Sequence, residues 1–132
     1  MHEMFLKPGA VSWTELTTND VEAAKKFYGA LFGWTFQRFP GSEMNYDVIS
    51  LGDRQFGGVF QTPKQMAGMP PAWVSYITVE NVDQTAKNAQ ELGAKLTVPP
   101  MDIPQVGRFC VIQDPQGACI AAITYLKPDA KK

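Results

Sequence analysis

The chain has 132 residues, the size of one ordinary domain and too short for two independent cores. Apolar residues make up 45% and charged residues 19%, which excludes a disordered chain, and 12 Lys+Arg against 13 Asp+Glu leave a net charge of −1. That balance gives no electrostatic footprint for nucleic acid or an anionic membrane, and no negative field to trap a cationic ligand.

In chain order, MHEMFLKPGA has neither a long apolar run nor a small-residue cleavage site, so it does not read as a signal peptide. A strand is predicted at Val11–Thr17 from its β-branched and aromatic residues. The next segment, NDVEAAKKFYGALFGW, opens on a cap candidate, Asn19 or Asp20. It spaces Val21, Ala24, Phe27, Tyr28 and Leu31 as one buried helix face and stops at Gly33. Strands are expected near Trp34–Phe39, Tyr46–Leu51 and Gln55–Gln61, separated by Pro40-Gly41 and Gly52-Asp53. The stretch TPKQMAGMPPA, residues 62–72, reads as a linker, with Met66, Met69, Pro70 and Pro71 as an exposed connection or a flexible lid. A strand at Trp73–Val79 follows. The second helix carries Val82, Thr85 or Ala86, Ala89 and Leu92, capped by Asn81 and ended by Gly93. Lys95–Val98, Arg108–Gln113 and Ala118–Tyr125 are the last strands, the final turn being Asp114-Pro115-Gln116-Gly117, and 127–132 reads as a solvated tail.

The two halves are copies of one plan. Val21 stands over Val82, Lys26 over Lys87 and Leu31 over Leu92 at an offset of 61, and Gly33 over Gly93 at 60. Each half reads β-α-β-β-β, with module one at about 10–61 and module two at about 73–126. The fold class expected is α+β.

The segments DVEAAKKFYGALFGW and FCVIQDPQGACIAAI, with the doubled β-α-β-β-β order over 10–126, resemble the vicinal oxygen chelate superfamily of glyoxalase I, bleomycin-resistance proteins and extradiol dioxygenases. The resemblance implies two tandem modules whose curled mixed sheets form a shared cleft, in a chain that pairs as a homodimer. In metal-using members four residues, one on the first and one on the last strand of each module, hold a divalent ion. The matching positions here are Trp13, Gln61, Val74 and Ala121. Indole, isopropyl and methyl groups offer no lone pair to a cation, and Gln61 alone could donate a carbonyl oxygen, so no metal and no other cofactor is expected. The one histidine, His2, lies away from these positions.

Strand alternation puts Glu15 on the face of Trp13. There a carboxylate between apolar neighbours is either a general base with a raised pKa or the partner of a cation or a backbone amide. Trp13 itself is a core residue or a cleft wall. Tyr76 shares a face with Val74, and is a core tyrosine or a hydrogen-bond donor to a ligand; Phe109 and Val111 line the same surface, with Phe60 or Trp73 as further aromatic candidates. Cys119 shares a face with Ala121, without a histidine to activate it, and Cys110 on the other face reads as core. Absent a secretory signal, both cysteines are expected as reduced thiols in a cytoplasm. Gly57-Gly58 lies inside a strand pattern and is not followed by the Lys-Ser/Thr of a phosphate loop, and one terminal histidine excludes a Ser-His-Asp triad.

Three functions fit. The first is a metal-independent binder of a small apolar or aromatic molecule. The second is a lyase or isomerase in which Glu15 removes a proton next to a carbonyl while Gln61 or Tyr76 supports the oxyanion. The third is an interaction module with a vestigial cleft.

Overall fold

Two short polar side chains fix where the helices start. In the computed structural model, which describes residues 6–39, 46–62, 68, 70–103 and 106–126, α1 spans Val21–Phe32 and α2 spans Val82–Glu91. Asp20 stands in extended backbone and accepts the Ala23 N–H at 3.0 Å; Asn81 does the same for Gln84 at 3.0 Å. Each cap satisfies an amide that has no partner inside the helix. α1 ends where Gly33 turns left-handed at φ 76° and its N–H returns to the Gly29 carbonyl at 2.9 Å.

The strands are β1 (Val11–Thr18), β2 (Thr35–Arg38), β3 (Tyr46–Leu51), β4 (Arg54–Gln61), β5 (Ala72–Thr78), β6 (Lys95–Ile103), β7 (Gly107–Gln113) and β8 (Cys119–Tyr125). Among the described residues, eight strands in mixed pairing and two helices make the chain α+β. Two compact units divide it: residues 13–74 form the first, and residues 75–126 with 6–12 the second. In the first the strands lie in the order β2-β3-β4-β1, with β1 and β4 parallel and the other neighbours antiparallel. In the second the order is β5-β8-β7-β6, with β5 and β8 parallel. Gly9 and Ala10 join the second unit by backbone hydrogen bonds to both sides of Thr78.

Each helix covers one face of its own sheet. In the first unit Leu16, Val21 and Val59 are buried together, with Ala24, Tyr28 and Phe36 against them. In the second, Val82, Ala86, Cys110 and Ala122 form the core, with Val79, Leu96 and Ile112 alongside. Asp47, almost fully buried, ties α1 to its sheet through Lys25 Nζ at 2.7 Å and Arg38 Nε at 2.9 Å. Burial pushes the Asp47 carboxyl up, but the hydrogen bonds and charges of Lys25 and Arg38 outweigh it and hold the group below its ordinary value. The Asp47 hydrogen bond in turn raises Lys25.

Three expectations are corrected. Phe27 and Leu31 are not on the buried face of α1 but 58% and 56% exposed. At about 100° per residue they sit roughly 120° and 80° round from Val21, while Ala24 and Tyr28 stay over the sheet. Leu92 is 79% exposed because it follows the last helical residue and lies at the cap. β6 does not stop at Val98 but runs through Pro99 and Pro100 to Ile103. It is the last strand of its sheet order and its pairing to β7 shifts register on both sides of Val98, so two missing amides cost no ladder bonds. His2, Pro40-Gly41, Met66, Met69 and the 127–132 tail lie outside the described residues.

Candidate functional site

Because Leu16, Phe36 and Val59 face α1, their strand neighbours face the other way. The surface opposite α1 therefore carries Trp13 and Glu15 from β1, Gly58 and Phe60 from β4, Tyr46 and Val48 from β3, and Gln37 from β2. Register aligns Glu15 with Gly58, Gly58 with Val48 and Val48 with Gln37, while Tyr46 pairs with Phe60 in the adjacent row.

A hydrogen-bonded series crosses this surface. Trp13 Nε1 donates to the Tyr46 hydroxyl at 3.0 Å, and that hydroxyl donates to Glu15 Oε2 at 2.7 Å. All three side chains are half-buried. The Tyr46 ring stacks on Phe60, with centroids 5.8 Å apart and planes 24° from parallel, and meets Phe39 edge-on at 6.2 Å. Its path to Glu15 runs directly over Gly58. A Cβ there would lie 2.6 Å from Tyr46 Cε1 and closer still to Cζ and Oη, so a side chain at 58 and this phenol cannot share the space. Gly57, on the opposite face, is likewise closed in by the Thr14 carbonyl.

Each strand segment supplies one element of this arrangement. β1 alternates Trp13, Glu15 and Thr17 toward the surface, β3 presents Tyr46, and the Gly57-Gly58 pair lets neighbouring groups approach the backbone of β4. The chemistry it offers is an oriented carboxylate, a phenol whose proton lies on the line to that carboxylate, and an indole that keeps the phenol pointed there. Trp13 and Glu15 are brought together as strand parity implied. Tyr46 and Gly58 join them without having been singled out as site residues. A double glycine inside a strand was the available signal, since it marks a close approach.

The remaining sequence candidates lie elsewhere. Gln61 is exposed at the end of β4, its carboxamide nitrogen donating to the Asn19 carbonyl. Val74 is half-buried on β5. In the second unit Tyr76, Ala121 and Val111 align in one row across β5, β8 and β7, with Tyr76 and Ala121 5% and 1% exposed. Phe109 meets the Tyr76 ring at 6.2 Å. Cys119 is exposed at the start of β8, whereas Cys110 is fully buried and burial pushes its thiol up. Ser12 and Tyr125 share a hydrogen bond of 2.7 Å, and burial raises the Tyr125 phenol.

The four positions that would hold a divalent ion do not fit one. Trp13 and Val74 present no lone pair, Ala121 is a buried methyl, and Gln61 offers a single neutral carbonyl oxygen. Among the described residues no three His, Cys, Asp or Glu side chains cluster as a metal site, and no helix is long and apolar enough to cross a membrane.

Comparison with known proteins places this geometry in context. The profile of the Glyoxalase/Bleomycin resistance protein/Dioxygenase superfamily matches residues 10–121. "Putative glyoxylase CFP32" of Mycobacterium tuberculosis is 38% identical over 116 residues, 87% of this chain and 44% of that protein. "Anthracycline biosynthesis protein DnrV" of Streptomyces peucetius is 32% identical over 127 residues, 86% of this chain and 46% of that protein. The chain thus spans less than half the length of these curated relatives. Among solved structures, methylmalonyl-CoA epimerase of Mycobacterium tuberculosis superposes with a TM-score of 0.65 at 11% identity, over 100% of this chain and 97% of that one. An extradiol ring-cleaving dioxygenase of B. fuscum gives 0.63 at 15% identity, over 92% of this chain and 35% of that one. At these identities the two structures share the fold.

Proposed function

This chain belongs to the Glyoxalase/Bleomycin resistance protein/Dioxygenase superfamily, and from that premise we propose that it is a metal-independent binder of a small, planar aromatic molecule, held on the surface opposite α1. The observation that carries this reading is the Trp13–Tyr46–Glu15 series laid over Gly58. Sites of this kind draw affinity from apolar contact and orientation from a few polar groups. Trp13, Tyr46 and Phe60 supply the first, and Glu15 with the Tyr46 hydroxyl the second. The relative named for anthracycline biosynthesis agrees with an aromatic polycycle as the ligand class.

The test is a calorimetric and fluorescence titration against a panel of aromatic carbonyl compounds. We expect at least one saturable isotherm of one ligand per chain, weakened about tenfold or more by Trp13→Leu. No saturable binding across the panel sinks the reading.

One observation favours an enzyme as the second reading: a carboxylate held at 2.7 Å by a phenol. Glu15 would take a proton from the carbon next to a ligand carbonyl, the C–H pair forming a C=C bond while the carbonyl π pair moves onto oxygen, to which the Tyr46 hydroxyl turns and donates. Tyr46 fits that second role better than Gln61, which is bonded to Asn19, or the buried Tyr76. Proton–deuterium exchange at that carbon, seen by NMR and abolished by Glu15→Gln, separates catalysis from binding. A homodimer in the cytoplasm completes the proposal. Light scattering on the purified chain decides between monomer and dimer.

A further inference from the structure

The row that ends at Glu15 begins at a second feature. Across β1, β4, β3 and β2 it reads Glu15, Gly58, Val48, Gln37, and strands about 4.8 Å apart put its ends on the order of 14 Å from each other. Beside Gln37 lies a shallow depression of about 180 Å³ lined by Gln37, Arg38, Phe39, Val48 and Gln55. Register pairs Gln55 with Ser50, which places its side chain on the same surface as Gln37. Its polar lining is the two carboxamides and Arg38, a half-exposed guanidinium whose Nε bonds Asp47. The Gln37 and Gln55 carboxamides have no hydrogen-bond partner among the described residues, and each offers both a donor and an acceptor. Between the two ends the Tyr46 phenol covers Gly58 and Val48 is buried, so what a ligand meets there is the stacked Tyr46 and Phe60 rings.

We propose that this depression is the far subsite of the ligand surface, and that Gln37 and Gln55 set specificity by reading a neutral hydroxyl or keto group at the end of a fused-ring ligand. The inference rests on the binding function proposed above. The length of the row selects a molecule of about three fused rings over a single ring, because one ring cannot reach both ends. The stacked Tyr46 and Phe60 rings between them select a flat aromatic ligand. The two amides read a hydroxyl or carbonyl through paired donor and acceptor, and the Arg38 cation in the same lining disfavours an amine.

The experiment titrates the full chain with two probes, 9,10-anthraquinone and 2-hydroxy-9,10-anthraquinone, which differ only in a hydroxyl at the end of the long axis. Wild type is expected to bind the hydroxylated probe about fivefold to tenfold more tightly. The double variant Gln37→Leu/Gln55→Leu is expected to erase that preference, the two probes then binding within twofold of each other. Both positions are exposed on strands, where Leu is tolerated, and a circular dichroism melt verifies folding. If the double variant keeps the preference, the subsite assignment is wrong and the binding function stands. If wild type binds both probes equally, the assignment is wrong as well. If neither probe binds saturably, the binding function and the subsite fall together.

Discussion

Gly58→Ala is expected to destabilise the protein by displacing Tyr46, and the size of the effect follows from the contacts. The added methyl would overlap the Tyr46 ring and hydroxyl, the three nearest atoms all belonging to that side chain. The phenol must swing away, losing its bond to the Glu15 carboxylate and the one from Trp13. A hydrogen bond to a charged group is worth about 1.5–3 kcal/mol and a neutral one about 0.5–1.5 kcal/mol, the lower ends applying where water can replace them. Against this, Gly→Ala at a residue without positive φ gains about 0.4–1 kcal/mol by restricting the unfolded chain. The expected net loss is about 2 kcal/mol, read from urea unfolding followed by circular dichroism. In a Tyr46→Ala background the methyl has nothing to displace, so Gly58→Ala should be neutral or stabilising by up to about 1 kcal/mol. The cycle then reports a coupling of about 2–3 kcal/mol. Equal destabilisation in both backgrounds, with coupling under about 0.5 kcal/mol, would refute the packing of Tyr46 over Gly58.

Acid should act through Asp47. Its carboxyl lies below the ordinary value when folded, so its stabilisation is complete above about pH 4 and is lost as pH falls through the depressed folded value. Asp47→Asn should cost about 2 kcal/mol at pH 7 and flatten the stability profile below about pH 4; an unchanged acid limb contradicts the pairing with Lys25 and Arg38. A thiol reagent should label one cysteine, the exposed Cys119, within minutes and reach Cys110 only on unfolding, since burial both shields that thiol and keeps it protonated. Rapid labelling of two thiols in native buffer overturns that. Expression in medium supplemented with Zn, Ni, Mn, Fe and Co should yield no stoichiometric metal by elemental analysis, because Trp13, Val74 and Ala121 cannot ligate one. One ion per chain that chelator removes with loss of stability would show that the ion is held by other residues.

Much of this protein was legible in local patterns. Asp20, Asn81 and Gly33 act on amides and carbonyls within a turn of themselves, so the helix ends could be read to within a residue or two. The doubled β-α-β-β-β plan and the positions of most strands followed from alternation and turn residues for the same reason. Periodicity was less sure of burial. It grouped Phe27 and Leu31 with Val21, but a stripe has a width, and only the sheet beneath α1 determines which flank stays open to water.

What the sequence determined by itself is the family plan, the placing of Trp13 and Glu15 on one strand face, and the residue types at the family's four positions, Trp13, Gln61, Val74 and Ala121. Those depend on residue type and on spacings of two to four. The tertiary structure decided that Tyr46, 31 residues from Glu15, is its partner, that Gly58 is the space this contact needs, and that Gln37 closes the same row. These depend on which strands become neighbours and in what register. Register is settled by the whole buried face of a sheet, because a slip of one residue would turn every side chain over, and no short stretch of sequence contains that information.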